Sequence, residues 1–303
     1  MELLQKLCST FGPSGNESQI KKFILNYVFE QENHWKNKPE IIHENDFQDC
    51  LILKFGNPRT AIFAHIDTIG FTVRYEDQLV PIGSPEVATD YAVIGEDSLG
   101  AIECKIKKDE NDNPRYVFGR TIDTGTNLVY KCNFVETDET IQSCYLDNRL
   151  GVYSALKVAE NLQDGIIVFS CWEEHGGGSV PFLTKYIYER WNIRNALISD
   201  ITWVTEGVQP GNGVVISLRD HNIPRQSFVN RIIKIAQDSK IPYQLEVEGG
   251  GSSDGREVQL SPYPIDWCFI GAPELNVHSP NELVNKKDIL SMIELYNRLM
   301  MQL

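Results

Sequence analysis

The chain has little that would suit a membrane, an oxidised secreted scaffold or nucleic acid. No stretch approaches the ~18 consecutive apolar residues of a membrane span. The opening MELLQKLCSTFGPSG has no basic region followed by an apolar one, so no secretory signal is expected. Seven cysteines (Cys8, Cys50, Cys104, Cys132, Cys144, Cys171, Cys268) are scattered and odd in number, and no two form a C-x-x-C. That excludes a zinc ribbon or a thioredoxin-type redox pair and fits free thiols in a reducing compartment, with the cytoplasm the expected location. Basic residues are also scarce. Against 42 Asp and Glu stand 28 Lys and Arg, a formal net charge of −14. A sequence-independent nucleic-acid binder draws its affinity from Lys and Arg on phosphates, so neither nucleic acid nor a membrane is an expected partner.

What is present is an ordinary globular composition, 42% apolar and 23% charged over 303 residues. From Glu17 to about Asn33, apolar residues recur at helical spacing after the turn Gly12-Pro13-Ser14-Gly15. Cys50–Phe55 and Ala61–Ala64 read as strands, the second buried on both faces. Between about Val73 and Ser143 short alternating runs are separated by turn clusters such as Lys108–Pro114, with no long helix. After Asp147 a helical stripe through Val152 to Leu162 leads to a buried strand at Ile166–Phe169. Helices at Phe182–Trp191, Gln226–Ser239 and Lys286–Met300 then alternate with strands at Ala196–Ile198 and Ile265–Ile270. Such alternation predicts an α/β sheet covered on both faces, interrupted by a small all-β unit.

The polar residues that could carry chemistry stand where expected strands end. They are His65-Ile66-Asp67, Leu146-Asp147-Asn148-Arg149, Glu173-Glu174, Ser199-Asp200 and, after a possible strand through Leu275–Val277, His278-Ser279-Pro280. Ligands of open α/β sheets bind outside the carboxyl ends of the strands. Brought together without compensation, Asp147, Glu173, Glu174 and Asp200 would repel one another. Divalent cations resolve that conflict, and mixed imidazole and carboxylate donors suit Zn²⁺ or a similar ion. Two ions ~3.5–4 Å apart on a shared carboxylate can activate water and polarise a carbonyl. One uncoordinated carboxylate is then free to act as general base, and Glu173-Glu174 offers both roles from one strand end. Asp67, two residues beyond His65, is placed to orient its imidazole from behind.

This order of motifs resembles the dinuclear-metal aminopeptidases. It is most similar to the glutamyl and deblocking aminopeptidases that form tetrahedral assemblies, some of whose members carry endoglucanase names. The resemblance covers nearly the whole chain, from Gly12-Pro13-Ser14-Gly15-Asn16-Glu17 through Ala64–Phe71, Leu146–Gly151 and Gly250-Gly251-Ser252-Ser253-Asp254 to Val277-His278-Ser279-Pro280. His65 and Asp147 are 82 residues apart, whereas Asp147 to Glu173 and Glu174 to Asp200 are 26 each. The extra unit thus falls between the first two ligands, as in this family. In the related di-zinc carboxypeptidases and deacylases it falls between the last two, which leaves hydrolysis of N-acyl amino acids as the weaker alternative, beside a non-catalytic family member.

The resemblance implies a mixed sheet sandwiched by helices, with 1–72 and 144–303 as the catalytic domain. Residues 73–143 would form an inserted β domain with an assembly or lid role. It implies two divalent metal ions, zinc with cobalt or manganese as alternatives. Asp147 would bridge them, Glu174 and His278 would complete one site, and His65 and Asp200 the other. Glu173 would be the base, Ser253 and Asp254 would contact substrate, peptides would be the substrates, and the chain would assemble as a homo-oligomer. Two places depart from the family pattern: Thr68 stands where an acidic residue is usual, and His175-Gly176-Gly177-Gly178 replaces a usual Val-Gly. Both flank the site and leave substrate class open. The glycine-rich runs at Gly176 and Gly249 lack the Walker-A ending and read as loops. Arg149 is placed either to orient Asp147 or to serve the helix start.

Overall fold

Two short stretches, Thr60–His65 and Gly165–Ser170, bury every one of their side chains, the pattern of strands covered on both faces. The computed structural model describes residues 1–43 and 47–303. In chain order its elements are α1 (Glu2–Ser9), α2 (Ser18–Gln31), β1 (Glu40–Ile42), β2 (Leu51–Phe55), β3 (Thr60–His65), β4 (Gly70–Val73), β5 (Leu79–Ile82) and β6 (Ala92–Asp97). They continue with β7 (Gly100–Lys108), β8 (Pro114–Val117), β9 (Asn127–Tyr130), β10 (Val135–Glu136), β11 (Thr140–Ser143), α3 (Leu146–Ala159), β12 (Gly165–Ser170) and α4 (Val180–Trp191). The last are β13 (Asn195–Trp203), β14 (Val214–Arg219), α5 (Gln226–Ser239), β15 (Tyr243–Val247), α6 (Asp254–Leu260), β16 (Asp266–Leu275), β17 (Glu282–Asn285) and α7 (Lys286–Gln302).

The large sheet runs β1-β2-β12-β3-β13-β16-β17-β11-β10, with β14 also paired to β16 and β15 to β14. Its centre is parallel, β12 with β3, β3 with β13, and β13 with β16, and its flanks are antiparallel except for the parallel pair β14 and β15. Helices α3 and α7 pack on each other and on these strands, while α4 and α6 form a second group against them, so the mixed sheet is sandwiched as expected. Burying one apolar stripe per helix supplies the driving force: α7 alone hides Ile289, Met292, Leu295, Tyr296 and Leu299. Among the described residues no helix is long and apolar enough to cross a membrane.

A second, wholly antiparallel sheet has the order β5-β4-β9-β6-β7-β8. Its end strands β5 and β8 touch, so it is nearly closed, which removes most of its exposed edge. It has its own core of Phe71, Val93, Ile102, Ile106, Tyr116 and Leu128. The strand boundaries differ from the sequence reading. This sheet begins at Gly70 and ends at Tyr130, and β10 and β11, between 135 and 143, pair instead toward β17 in the large sheet. The strand expected through Leu275–Val277 is the tail of the longer β16, which stops at Leu275.

Candidate metal centre

His65 ends β3 and lies in register with Ser170, the last residue of β12, so the turn that follows β12 passes over it. Asp200 sits within β13, opposite Gly271 of β16. Asp147 enters from the first turn of α3, where its own backbone and that of Asn148 are not helical. His278 follows β16. Three residues with left-handed backbone aim these segments inward: Tyr145 (φ 65°) before Leu146-Asp147, Trp172 (φ 62°) before Glu173-Glu174, and His278 itself (φ 65°). Such conformations at bulky residues cost ~1–3 kcal/mol and persist where the surroundings dictate them.

The local sequence explains how the Asp147 turn is held. Asn148 donates from Nδ2 to the Ser199 carbonyl (2.8 Å) and accepts the Gly151 N–H on Oδ1 (2.9 Å). A Cβ at Gly151 would lie 2.2 Å from that carbonyl oxygen, so only glycine lets α3 press this closely onto β13. The Asp-Asn-Arg-Leu-Gly run is therefore a docking device as well as a donor.

The structure brings all five expected ligands together. His65 Nε2 lies 3.2 Å from Asp147 Oδ1 and 3.5 Å from Asp200 Oδ2; His278 Nε2 lies 3.3 Å from Asp147 Oδ2 and 3.2 Å from Glu174 Oε2. Two groups result, His65–Asp147–Asp200 and Asp147–Glu174–His278, each with its ligating atoms within 4.8 Å of one another. Asp147 belongs to both and offers a different oxygen to each. Glu173 belongs to neither; its Oε2 is 3.9 Å from His65 Nε2. Glu173 and Glu174 occupy the turn that follows β12, beyond the strand as the sequence places them.

The electrostatics describe a centre short of positive charge. Burial pushes the carboxyls of Glu173, Glu174 and Asp200 up, Glu174 to about 7, and neighbouring carboxylates add to the effect. Burial works against a charged His65 and His278. The carboxylates around them outweigh it: Asp200, Asp147 and Asp67 hold the His65 imidazole well above its usual range, and Asp147 with Glu174 lift His278 to about 11. Burial opposes ionisation of Asp147 too, but the two imidazoles hold it below the ordinary carboxylate range. Among the described residues His65 Nε2 and Glu174 Oε1 are buried without a hydrogen-bond partner. Unsatisfied ligating atoms of this kind, on imidazole and carboxylate, fit divalent cations.

Other residues hold the site from outside. Asp67 accepts the N–H groups of Glu173 and Glu174 (3.1 Å each) and the Ser14 hydroxyl (2.6 Å). Its Oδ1 is 3.4 Å from His65 Nδ1, without hydrogen-bond geometry, so what it fastens is chiefly the Glu turn. Three residues went unnoticed in the sequence. Glu282 accepts the N–H of His278 (3.1 Å) and of Asp147 (3.3 Å), tying the two ligand segments together. Glu274 is buried beside it. Ser84, from the loop after β5, bonds His278 Nδ1 at 2.9 Å. Only the short interval from His278 to Glu282 hinted at the first, and nothing local marked the others.

Two expectations are corrected. Ser253 and Asp254 do not line the cavity. Both are buried: Ser253 donates to Asp200 Oδ2 (2.6 Å) and Asp254 accepts the Ser170 hydroxyl, so they buttress the site from below. Arg149 does not orient the Asp147 carboxylate; it is buried and donates to the Thr10 carbonyl (3.2 Å), pinning α3 to the N-terminal segment. The departures from the family pattern also find places. Thr68 faces the Gly12–Ser14 loop through its backbone, and His175 Nδ1 accepts the Gly83 N–H (3.1 Å).

Comparison with known proteins identifies the family. Residues 109–295 match the model of the M42 glutamyl aminopeptidase family. A relative from Acetivibrio thermocellus, provisionally named an aminopeptidase, is 25% identical over 97% of this chain and 96% of its own. Among solved structures, an aminopeptidase of the archaeon Desulfurococcus kamchatkensis superposes with a TM-score of 0.87 at 22% identity, over 99% of this chain and 93% of that one. The Pyrococcus horikoshii TET1 peptidase gives 0.83 at 20% identity, over 100% and 99%. Those two likenesses speak for the fold. With more than half its length matched by the family model, the chain belongs to the M42 glutamyl aminopeptidase family and is a metal-dependent peptidase.

Proposed function

We propose that the enzyme removes N-terminal residues from peptides at a two-metal centre, with Glu173 as general base. The observation that carries this is Asp147, whose two carboxylate oxygens face two separate imidazole–carboxylate groups. His65 and Asp200 would hold one ion, Glu174 and His278 the other, and Asp147 both. Zinc fits this donor set best, with cobalt and manganese as substitutes. Bound there, such ions supply Lewis acidity toward the scissile carbonyl and lower the pKa of water.

The chain's own residues do the rest. Glu173 stands outside both groups yet faces the same cavity, so its carboxylate takes the proton of the attacking water and returns it to the leaving amine. Asp67 fixes Glu173 through its backbone N–H and so sets the direction of that transfer. The centre is closed on one side by the loop after β5, where Ser84 reaches His278. We accordingly assign a lid role to the inserted small sheet, residues 70–130, and catalysis to the large-sheet unit formed by the residues on either side of it. The name of the TET1 relative, which states assembly into a tetrahedron or an octahedral shell, supports self-association here as well. Sedimentation velocity tests this, and a monomer at micromolar concentration would refute it. All seven cysteines are free, which supports a reducing, cytoplasmic setting.

Glu173→Gln tests the base. It should lower kcat on peptide substrates by about 100- to 10,000-fold while leaving the bound metal content unchanged. Retained turnover would remove Glu173 from that role. Cleavage of N-acyl amino acids in preference to peptides would favour the deacylase alternative.

A further inference from the structure

The cavity over the metal centre, about 250 Å³, extends beyond the catalytic residues. Seven carboxylates line it: Asp147, Glu173, Glu174 and Asp200 belong to the centre, but Asp220, Glu246 and Glu248 have no part in it. Among the described residues no Lys or Arg lines the cavity. The rest of its wall combines the apolar Ile201, Trp203 and Phe269 with His278, small polar side chains and the Gly250–Ser252 loop.

The placement of Glu246 is hard to explain by folding alone. Strand β15 reads Tyr-Gln-Leu-Glu-Val, and ordinary packing would turn Leu245 and Val247 inward. The strand does the reverse. Leu245 is 43% and Val247 63% exposed, while Glu246 is 4% exposed and takes its hydrogen bond from Thr202 on β13. Asp220 is 8% exposed and accepts only the Asn222 N–H through Oδ1 (2.5 Å) among the described residues. Burial makes both carboxyls harder to ionise, and among the described residues no Lys or Arg of the cavity wall relieves them. A strand that exposes two aliphatic side chains to bury an acid breaks the local pattern where a ligand contact is the compensation.

From this we infer that Asp220, Glu246 and Glu248 select peptides whose N-terminal residue carries a basic side chain, lysine or arginine. The inference rests on the aminopeptidase reading and names its substrate class. The aliphatic stem of such a side chain packs on Ile201, Trp203 and Phe269 while its charged head reaches the three acids. A glutamyl side chain, the one in the family's name, meets carboxylates there and no Lys or Arg. Like charges so placed exclude by repulsion, which is selection against the wrong substrate as well as for the right one.

The test has two arms. In the first, kcat/KM of the metal-loaded enzyme is measured on Lys-, Arg-, Leu- and Glu-p-nitroanilides. Lys and Arg should exceed Leu by about 10-fold and Glu by about 100-fold. Glu248→Gln and Asp220→Asn should each reduce the Lys-to-Leu ratio by about 10-fold. A Leu or Glu preference, or a ratio unmoved by both substitutions, overturns the inference and leaves the aminopeptidase reading standing. In the second arm, free lysine and glutamate are titrated calorimetrically into metal-loaded Glu173→Gln. Lysine should bind more tightly, and by less once Glu248→Gln is added. Equal or reversed affinities overturn the inference. If no aminoacyl substrate is cleaved by the wild-type enzyme yet lysine still binds selectively, the reaction assignment falls and the pocket's preference survives.

Discussion

The carboxylate of Glu282 touches neither a candidate metal nor the cavity, yet it bonds the backbone N–H of both Asp147 and His278. These residues are 131 apart in sequence and would have to meet within a few tenths of an ångström for both to serve one centre. Removing the tie should loosen the geometry without touching a donor. Glu282→Ala is expected to weaken metal binding by about 10- to 100-fold, read from competition with a chromogenic chelator on folded protein. Unchanged affinity would make Glu282 a folding residue only. At this scale the sequence was informative wherever a polar residue interrupts an apolar run. His65 and Asp200 stand out because Ala61–Ala64 and Ala196–Ile198 are so uniformly apolar. Glu282, Glu274 and Ser84 lie in ordinary polar surroundings, and what makes them part of the centre is a long-range approach that no local pattern records.

Whole elements divide in the same way. The central strands β3, β12 and β13 were legible because full burial on both faces demands a continuous apolar run, and little else satisfies that pattern. Strand β15 was not, because its inward residue is an acid and its aliphatic residues face solvent. The inserted sheet was readable as β structure from its turns, and the hairpin of β7 and β8 shows why. Asp109 accepts the N–H groups of Asn111 and Asn113 and the guanidinium of Arg115 across the turn. The Asn111 N–H leads in holding its carboxyl at about 2, against an ordinary 3.8. A carboxyl lowered on folding adds stability that is fully present above pH 4 and disappears as the pH falls through about 2. Asp109→Asn should therefore flatten the decline in stability between pH 4 and 2, measured as the urea midpoint at each pH, relative to wild type. An identical slope in the variant would place the acid sensitivity elsewhere.

For the molecule as a whole, the deficit of positive charge and the crowding of acids at one end of the central strands are linked. Asp147, Glu173, Glu174 and Asp200 converge where two imidazoles are the nearby cations, and buried like charges of this density oppose folding. Protons can fill the gap in part, which is what the raised carboxyls and imidazoles express. Divalent ions fill it at neutral pH without requiring the imidazoles to be charged. Because the unfolded chain scatters these residues, the ions bind the native state alone, and their free energy adds to that of folding. At a free metal concentration 1,000 times the dissociation constant the gain is about 4.1 kcal/mol per ion. Chelation to verified absence of metal should then lower the melting temperature by several degrees. Zn²⁺ or Mn²⁺ should restore it in a concentration-dependent manner, and a His65→Ala, His278→Ala variant should melt at the same temperature with or without metal. A wild-type melting temperature indifferent to chelation would mean that the cluster is satisfied by protons alone, and the two-metal reading would fall with it.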